Sequence, residues 1–497
     1  MSHGDVDAGS LTPQSTFYDQ GRFGRLFPEL PPFAADRPLI RDALIQLGAP
    51  GGPMDPADDL SDPITLITDA AKSINNPNNP TMTAGFTFLG QFLDHDMTFD
   101  PTSSLARRQD PESIRNFRIP ALDLDSVYGG GPGVSPHLYD RTVDGGRTSF
   151  LTERIPGSAA VSIDGEPRRD VPRNRQHVAL IGDPRNDENM IVSQLHLAML
   201  HFHNQVAKDV AAELGPGFTV DEIFDEAQRV VRWHYQWIVL HEFLPKTVGD
   251  DLADDVLTNG RRFYDWNNDP FIPVEFSVAA YRFGHSQIRP SYRANFGTSA
   301  TDPSQQFFAL LFDPAATDLE DPADLRGGCR AARRFLDWQT FFDFGDGNAR
   351  PNKLIDTKLS SVLFNLMGVP PESPTSLAAR NLLRNLTMKV PSGQRVARAM
   401  QAPELAPGDL SDLAQFQLDR RTPLWFYVLR EAAVFAEGEH LGPVGGRIVA
   451  EVLVGLIDGD SQSYRAQDPD WTPTYGSDGT FTMVDLLTTA GVVAALT

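Results

Sequence analysis

The run Gly90-Gln91-Phe92-Leu93-Asp94-His95-Asp96 is the tightest constraint on what this chain can fold into. It sets an imidazole between two carboxylates, one helical turn after a glutamine. Coiled as a helix, Gln91 and His95 share a face, Asp94 stands beside them, and Asp96 turns to a neighbouring face. One short helix then offers an amide and a base to one partner and a carboxylate to another. By itself the run fits a solvated surface helix equally well, so the rest of the chain has to decide.

The 497 residues suffice for one large core, and 41% hydrophobic content is that of a globular chain. No run approaches the ~18 apolar residues of a membrane span. The start, Met1-Ser2-His3-Gly4-Asp5, lacks a basic-then-apolar export signal, so the expectation is a cytoplasmic protein or export by a non-standard route. The single cysteine, Cys329, excludes an intramolecular disulfide. A net charge of −23 argues against nucleic acid as a partner and suggests that acids are gathered at cation sites. Residues 1–60, rich in Pro, Gly and Asp, read as an extended arm, and residues 61–497 as one domain. Apolar spacing predicts helices over 194–210, 223–240, 422–435 and 446–457. Strand-like alternation is scarce, and 39 prolines and 40 glycines fit long connections. The predicted fold is a single large, mostly α-helical domain with long irregular loops and little β structure.

Four further segments carry polar chemistry. In Ala121-Leu122-Asp123-Leu124-Asp125-Ser126-Val127-Tyr128-Gly129, carboxylates two apart beside free carbonyls suit a hard, oxygen-seeking cation, although such pairs are common in loops. Gly182-Asp183-Pro184-Arg185-Asn186-Asp187-Glu188-Asn189 opens a helix, with Arg185 and Glu188 at its entrance. The plain reading there is a charged first turn. His196 and His203, on one face of that helix, read as packed histidines. In Tyr281-Arg282-Phe283-Gly284-His285 the histidine is a metal ligand or a packed residue, and Gly284 would let a planar group approach the backbone. Asn381 and Arg384 share a helical face, with nothing intrinsic to mark them as functional.

Taken in order, these segments resemble the animal-type haem peroxidases of the peroxidase–cyclooxygenase superfamily, over roughly Thr83 to Ile457. Gly90–Asp96 is similar to the family's distal-histidine helix, Gly182–Arg185 with Glu188 to its catalytic-arginine segment, and Arg282–His285 to its proximal-histidine motif. Asn381 with Arg384 is similar to the pair behind that histidine, and Leu441–Arg447 resembles the bacterial branch. The resemblance implies haem b, with His285 bound to iron and Asn381 accepting a hydrogen bond from its other nitrogen. Arg282 and Arg384 would pair with the haem propionates. His95 would be the general base, Arg185 the stabiliser of developing negative charge, and Gln91 a partner of distal water or halide. Asp94 and Glu188 match the two carboxylates that form ester links to haem. Asn189 stands where some members carry a methionine that makes a third link, and asparagine cannot make it.

The resemblance also implies a calcium ion held by Asp96, Asp123 and Asp125 with the backbone carbonyls of Ile119 and Ala121. Many relatives have Thr at the position of Ile119 and Ser at that of Asp125. The expected partners are hydrogen peroxide and a small reducing donor: halide, thiocyanate or a phenol. Oligomeric state stays open. Two alternatives stand beside the peroxidase: a fatty-acid dioxygenase of the cyclooxygenase type, and a non-catalytic, peroxinectin-like haem-binding adhesion protein. The first would carry a radical-forming tyrosine three residues before the proximal histidine, where this chain has Arg282. The second is weakened by the lack of an Arg-Gly-Asp tripeptide.

Overall fold

The computed structural model describes residues 23–99, 116, 118–158, 165–266, 269–297, 303–371 and 373–494. Helices dominate, and the sheets among the described residues are four two-stranded pairs. No helix among those residues is long and apolar enough to cross a membrane.

The core is built on two long helices, Met190–Leu214 and Val220–Ile238, that pack on each other. Asn189 starts the first by accepting a hydrogen bond from Val192 N at 2.9 Å, and Gly215 ends it at φ 76°, a backbone conformation that glycine takes without strain. Thr219 and Glu222 start the second as a reciprocal capping box. The first helix runs past its apolar stripe at both ends and the second past the start of its own, because these caps lie outside the stripe. The second was expected to stop at 240, ahead of Pro245. Instead a wide π turn over Val239–Phe243 carries the chain into a short helix, Leu244–Val248, with Pro245 in its first turn.

The helix Ala84–Met97 lies against Met190–Leu214, with 11 of its 14 residues buried. Such burial leaves no water for its end groups, and the protein supplies partners instead. Ala84 N and Gly85 N donate to Arg350 O and Phe341 O at 2.8 and 2.9 Å. At the other end the Asn116 side chain donates to Met97 O at 2.9 Å and accepts from Phe99 N at 2.7 Å. A Cβ on Gly85 would come within 2.5 Å of the Phe342 ring, so the entry of this helix requires glycine.

Leu424–Phe435 and Pro443–Gly459 form the other half of the core and pack on a 3-10 turn, Ala280–His285. Buried Glu431 caps the second of them, accepting from Val444 N and Gly445 N at 3.0 Å. Gly442 passes so close to Glu431 that a Cβ would sit 2.4 Å from its Cγ. The glycines of Leu441–Arg447 thus have a local packing reason.

The arm expected over 1–60 is corrected in its described part. Pro38–Leu47 is a ten-residue helix, with proline in its first turn and Leu44 and Leu47 buried, and it packs on the helix Leu377–Thr387. Only Phe23–Gly24 pairs as a strand, with Ile272–Pro273. The density of turn-forming residues on either side hid an amphipathic stretch. Residues 1–22 lie outside the described residues.

Burial raises the Glu431 carboxyl to about 7. A carboxyl raised on folding contributes stability that is present at low pH and lost as pH climbs through its folded value. Glu431→Gln should therefore gain on the wild type between pH 5 and pH 8, by up to about 3 kcal/mol. Urea unfolding at the two pH values checks it.

Candidate active site

The Ala84–Met97 helix, the Pro184–Asp187 turn and the Ala280–His285 turn converge on one cavity of about 370 Å³. Its polar wall holds Gln91, Asp94, His95, Arg185, Glu188, Arg282 and His285, and its apolar wall includes Phe86, Ile288, Leu311, Leu363 and Leu377. The size is that of a cofactor or ligand pocket, roughly 300–1,000 Å³. Gly284 also lines it, and a Cβ there would meet nothing within 4 Å, so open space lies over the backbone next to His285.

His95 is 4% exposed. Its basicity is lowered first by burial and then by the Arg185 charge, against an opposing pull from Asp94. Its Nδ1 lies 2.8 Å from Asn186 Oδ1, and Asn186 Nδ2 lies 3.0 Å from His196 Nδ1. Arg185 is immobilised. Its Nε donates to Asp183 at 3.1 Å, and its Nη2 donates to Asp183 and to His95 O, both at 2.8 Å, and to Thr98 O at 2.5 Å. Gln91 Nε2 donates to Glu188 at 3.2 Å, and Gln91 Oε1 accepts from Asn189 at 3.2 Å. Burial raises the Glu188 carboxyl. Asn189 thus caps one helix and holds a cavity residue on another.

His285 is pushed down to about 3 by burial, reinforced by Arg282, so it is a neutral imidazole with a lone pair to give. Its Nδ1 lies 2.7 Å from the Asn381 amide nitrogen. The expectation had Asn381 accepting from this nitrogen, and the amide instead presents its donor end. Arg282 Nη1, 3.4 Å from Asn381 Oδ1, favours that orientation. The two ends of an amide have nearly the same shape, and turning it restores the expected bond without moving the backbone. Arg282 and Arg384 meet in an adjoining cavity of about 120 Å³, which Asp94 and Arg185 also line. Arg185 is already paired with Asp183, while Arg282 hydrogen-bonds to neutral groups, Ser277 O and Asn381 Oδ1.

Asp96, Asp123 and Asp125 bring one carboxylate oxygen each within 4.8 Å of one another. Asp96 is fully buried and accepts from Leu124 N, Ser126 N and Oγ, and Tyr235 Oη. Leu124 takes φ 64° to make its bond, a rare conformation for leucine. Burial, then repulsion from Asp96, raises Asp123 to about 7, and Asp96 and Asp125 are raised as well. Three carboxylates gathered this closely could share a cation, which would offset their mutual repulsion. Ile119 O already accepts from Ala121 N at 2.7 Å, which occupies one of its two lone pairs.

Sequence reasoning missed four supports. Asn186 and Asp183 stood inside a quoted motif, but next to an arginine they read as turn residues. Arg118, from a loop, bridges Asp183 at 2.5 Å and Asp125 at 3.2 Å. Asn385, one turn after Asn381, donates to Val278 O at 2.7 Å. His203 is packed as expected, between Tyr128 Oη and Thr148 O at 2.9 Å.

A mostly helical fold that sets two neutral imidazoles on one cavity, with guanidiniums alongside, is that of a haem protein of the peroxidase kind. The chain belongs to the animal haem peroxidase family, whose model matches residues 108–385, more than half of the chain. It is 26% identical to human thyroid peroxidase over 405 residues, covering 74% of this chain and 40% of that protein. It is 34% identical to peroxidase mlt-7 of Caenorhabditis elegans over 187 residues, covering 37% of this chain and 25% of that one. The chain therefore spans well under half the length of these relatives. Peroxidase A of Dictyostelium discoideum shares the fold at TM-score 0.56 and 18% identity, over 90% of this chain and 89% of that one. The Oryza sativa fatty acid alpha-dioxygenase does so at TM-score 0.56 and 16% identity, over 96% and 87%.

Asn189→Ala should cost about 1 kcal/mol of stability through the lost cap. It should also free Gln91. Thermal unfolding, with a crystal structure to locate the Gln91 side chain, checks both.

Proposed function

We propose that this protein is a haem-dependent peroxidase that reduces hydrogen peroxide and oxidises a small donor, a halide, thiocyanate or phenol. The observation that carries the reading is that His95 and His285, 190 positions apart in the sequence, line the same cavity. The open space over Gly284 and the chamber beside Arg282 fit a flat ligand with carboxylate arms. When bound, haem supplies the two-electron redox chemistry that the side chains lack.

His285 would hold the haem iron through the nitrogen that Asn381 does not contact, and the Asn381 amide orients its ring. Arg282 and Arg384 bind the propionates. On the other side, His95 takes a proton from the near oxygen of peroxide and returns it to the leaving oxygen, which departs as water. Its depressed basicity keeps it free to accept that proton. Arg185 stabilises the charge that develops between these steps, and its four fixed bonds mean that little reorganisation is needed. Gln91, tied to Glu188 and Asn189, presents its amide to distal water or a halide. Asp94 and Glu188 line the cavity where ester links to haem would form.

Asp96, Asp123 and Asp125, with the carbonyls of Ile119 and Ala121, hold calcium, a cation that takes 6–8 oxygens. Asp96 follows His95 directly, so the ion braces the end of the helix that carries the base. Chelation should lower the melting temperature and calcium should restore it, with about 2.7 kcal/mol gained at a hundredfold excess over Kd. Identical melting in chelator and calcium would remove the ion from this reading.

His285→Ala should abolish the Soret band of the purified protein. His95→Ala should keep the band and slow its response to peroxide by about 100-fold or more. Wild-type speed in the His95 variant would remove it from the mechanism. The dioxygenase alternative has one observation in its favour: Tyr281 lines the cavity. Its hydroxyl, however, donates to Gly90 O at 3.1 Å, and a carbonyl is no proton acceptor for a forming radical. Oxygen uptake with linoleate in the absence of halide would favour that alternative. A Soret band without peroxide turnover would favour a binding protein.

A further inference from the structure

Asn186 and His196 have no part in the chemistry above, yet both are fully buried beside His95. Asn186 turns Oδ1 to His95 Nδ1 at 2.8 Å and Nδ2 to His196 Nδ1 at 3.0 Å. An amide has one acceptor end and one donor end, so both bonds form only when one Nδ1 carries a proton and the other does not. With Oδ1 toward His95, the proton belongs on Nδ1 of His95 and Nε2 is left as a lone pair, the form that a base facing the cavity requires. His196 must then accept at Nδ1 and carry its proton on Nε2, which is buried with no partner. An unpaired buried donor is costly, and a leucine or phenylalanine could fill the same volume without it. What the imidazole adds is an acceptor for the Asn186 amide.

The turn that carries Asn186 is pinned on both sides of it. Asp187, next to it, makes a two-bond pair with Arg173 at 2.6 and 2.8 Å, and Asp183 receives both Arg185 and Arg118. We propose that Asn186 and His196 are positioning residues that fix the tautomer of His95, so that the nitrogen left for the cavity is always the unprotonated one. The inference rests on the reading of His95 as the base. It concerns where a neutral ring keeps its one proton, not the ring's charge.

The test uses the haem-loaded protein and three ligands. Hydrogen peroxide and hydrogen cyanide both give up a proton to a base on binding, whereas carbon monoxide, on the reduced protein, gives up none. Asn186→Leu should slow the peroxide and cyanide on-rates together, by about 10-fold or more, and leave carbon monoxide unchanged. Asn186→Asp, which still accepts from Nδ1–H, should restore most of both rates. A packing role alone would make the buried charge the worse substitution. If the aspartate variant does not fold, the His196 pair decides. His196→Gln, whose carbonyl can accept from Asn186, should stay close to the wild type, and His196→Leu should be slowed. Wild-type peroxide and cyanide rates in Asn186→Leu, equal losses for all three ligands, or equal rates in the two His196 variants would overturn the inference alone. A wild type that binds haem but reacts with neither peroxide nor cyanide would overturn the peroxidase reading and this inference with it.

Discussion

Asp183 is the group on which the arrangement around the cavity depends. It is fully buried, and burial alone would push its carboxyl up, but Arg185 and Arg118 overcome that and hold it well below the usual carboxylate range. From it two chains of contacts leave. One runs through Arg185 to the carbonyls of His95 and Thr98, at the end of the Ala84–Met97 helix. The other runs through Arg118 to Asp125, whose neighbour in the carboxylate cluster is Asp96, on the same helix. The two chains start from one carboxylate and both end at the Ala84–Met97 helix. A buried charge is tolerable only when paired, and Asp183 is paired with two guanidiniums. Loss of Asp183 would leave both guanidiniums short of counter-charge, so Arg185 and Arg118 are expected to loosen together. That couples the cluster to the distal wall of the cavity without any moving part.

The parts of this design that were legible in the sequence are those set by periodicity or by residue type. Apolar spacing marked the long helices because each buries one continuous stripe, and their ends were missed because caps such as Asn189 and Thr219 lie beyond it. The Pro38–Leu47 helix was hidden because only Leu44 and Leu47 are buried and its neighbours are turn-formers. The quoted site residues were legible as types that do particular chemistry, and the fold brings Gln91, Asp94, His95, Arg185, Glu188, Arg282 and His285 to one cavity. Arg384 joins them next door, and Asn381 stands behind His285.

What the sequence hid were groups whose role is a pairing. Arg118 has no meaning without Asp183 and Asp125, which lie 65 and 7 positions from it. Asn186 between two prolific polar neighbours reads as a turn residue, and only distances to two imidazoles reveal its direction. His196 read as a packed histidine, and its burial agrees, but packing is not what the hydrogen bond to Asn186 selects for. Such residues satisfy one another across long sequence separations, and no local spacing records that.

The charge of the chain bears on the same point. An overall balance of −23 would make its surface unwelcoming to anions, yet the cavities gather Arg185, Arg282 and Arg384. Burial pulls Arg282 below its ordinary value, which is the mark of a cation short of counter-charge. Its contacts confirm the shortage: a carbonyl at Ser277 and an amide at Asn381, both neutral. Among the described residues, Asp94 is the one carboxylate that lines the chamber beside it. A carboxylate brought in by a ligand would supply Arg282 with counter-charge, and in a low-dielectric pocket such pairing is strong because water competes for it so little.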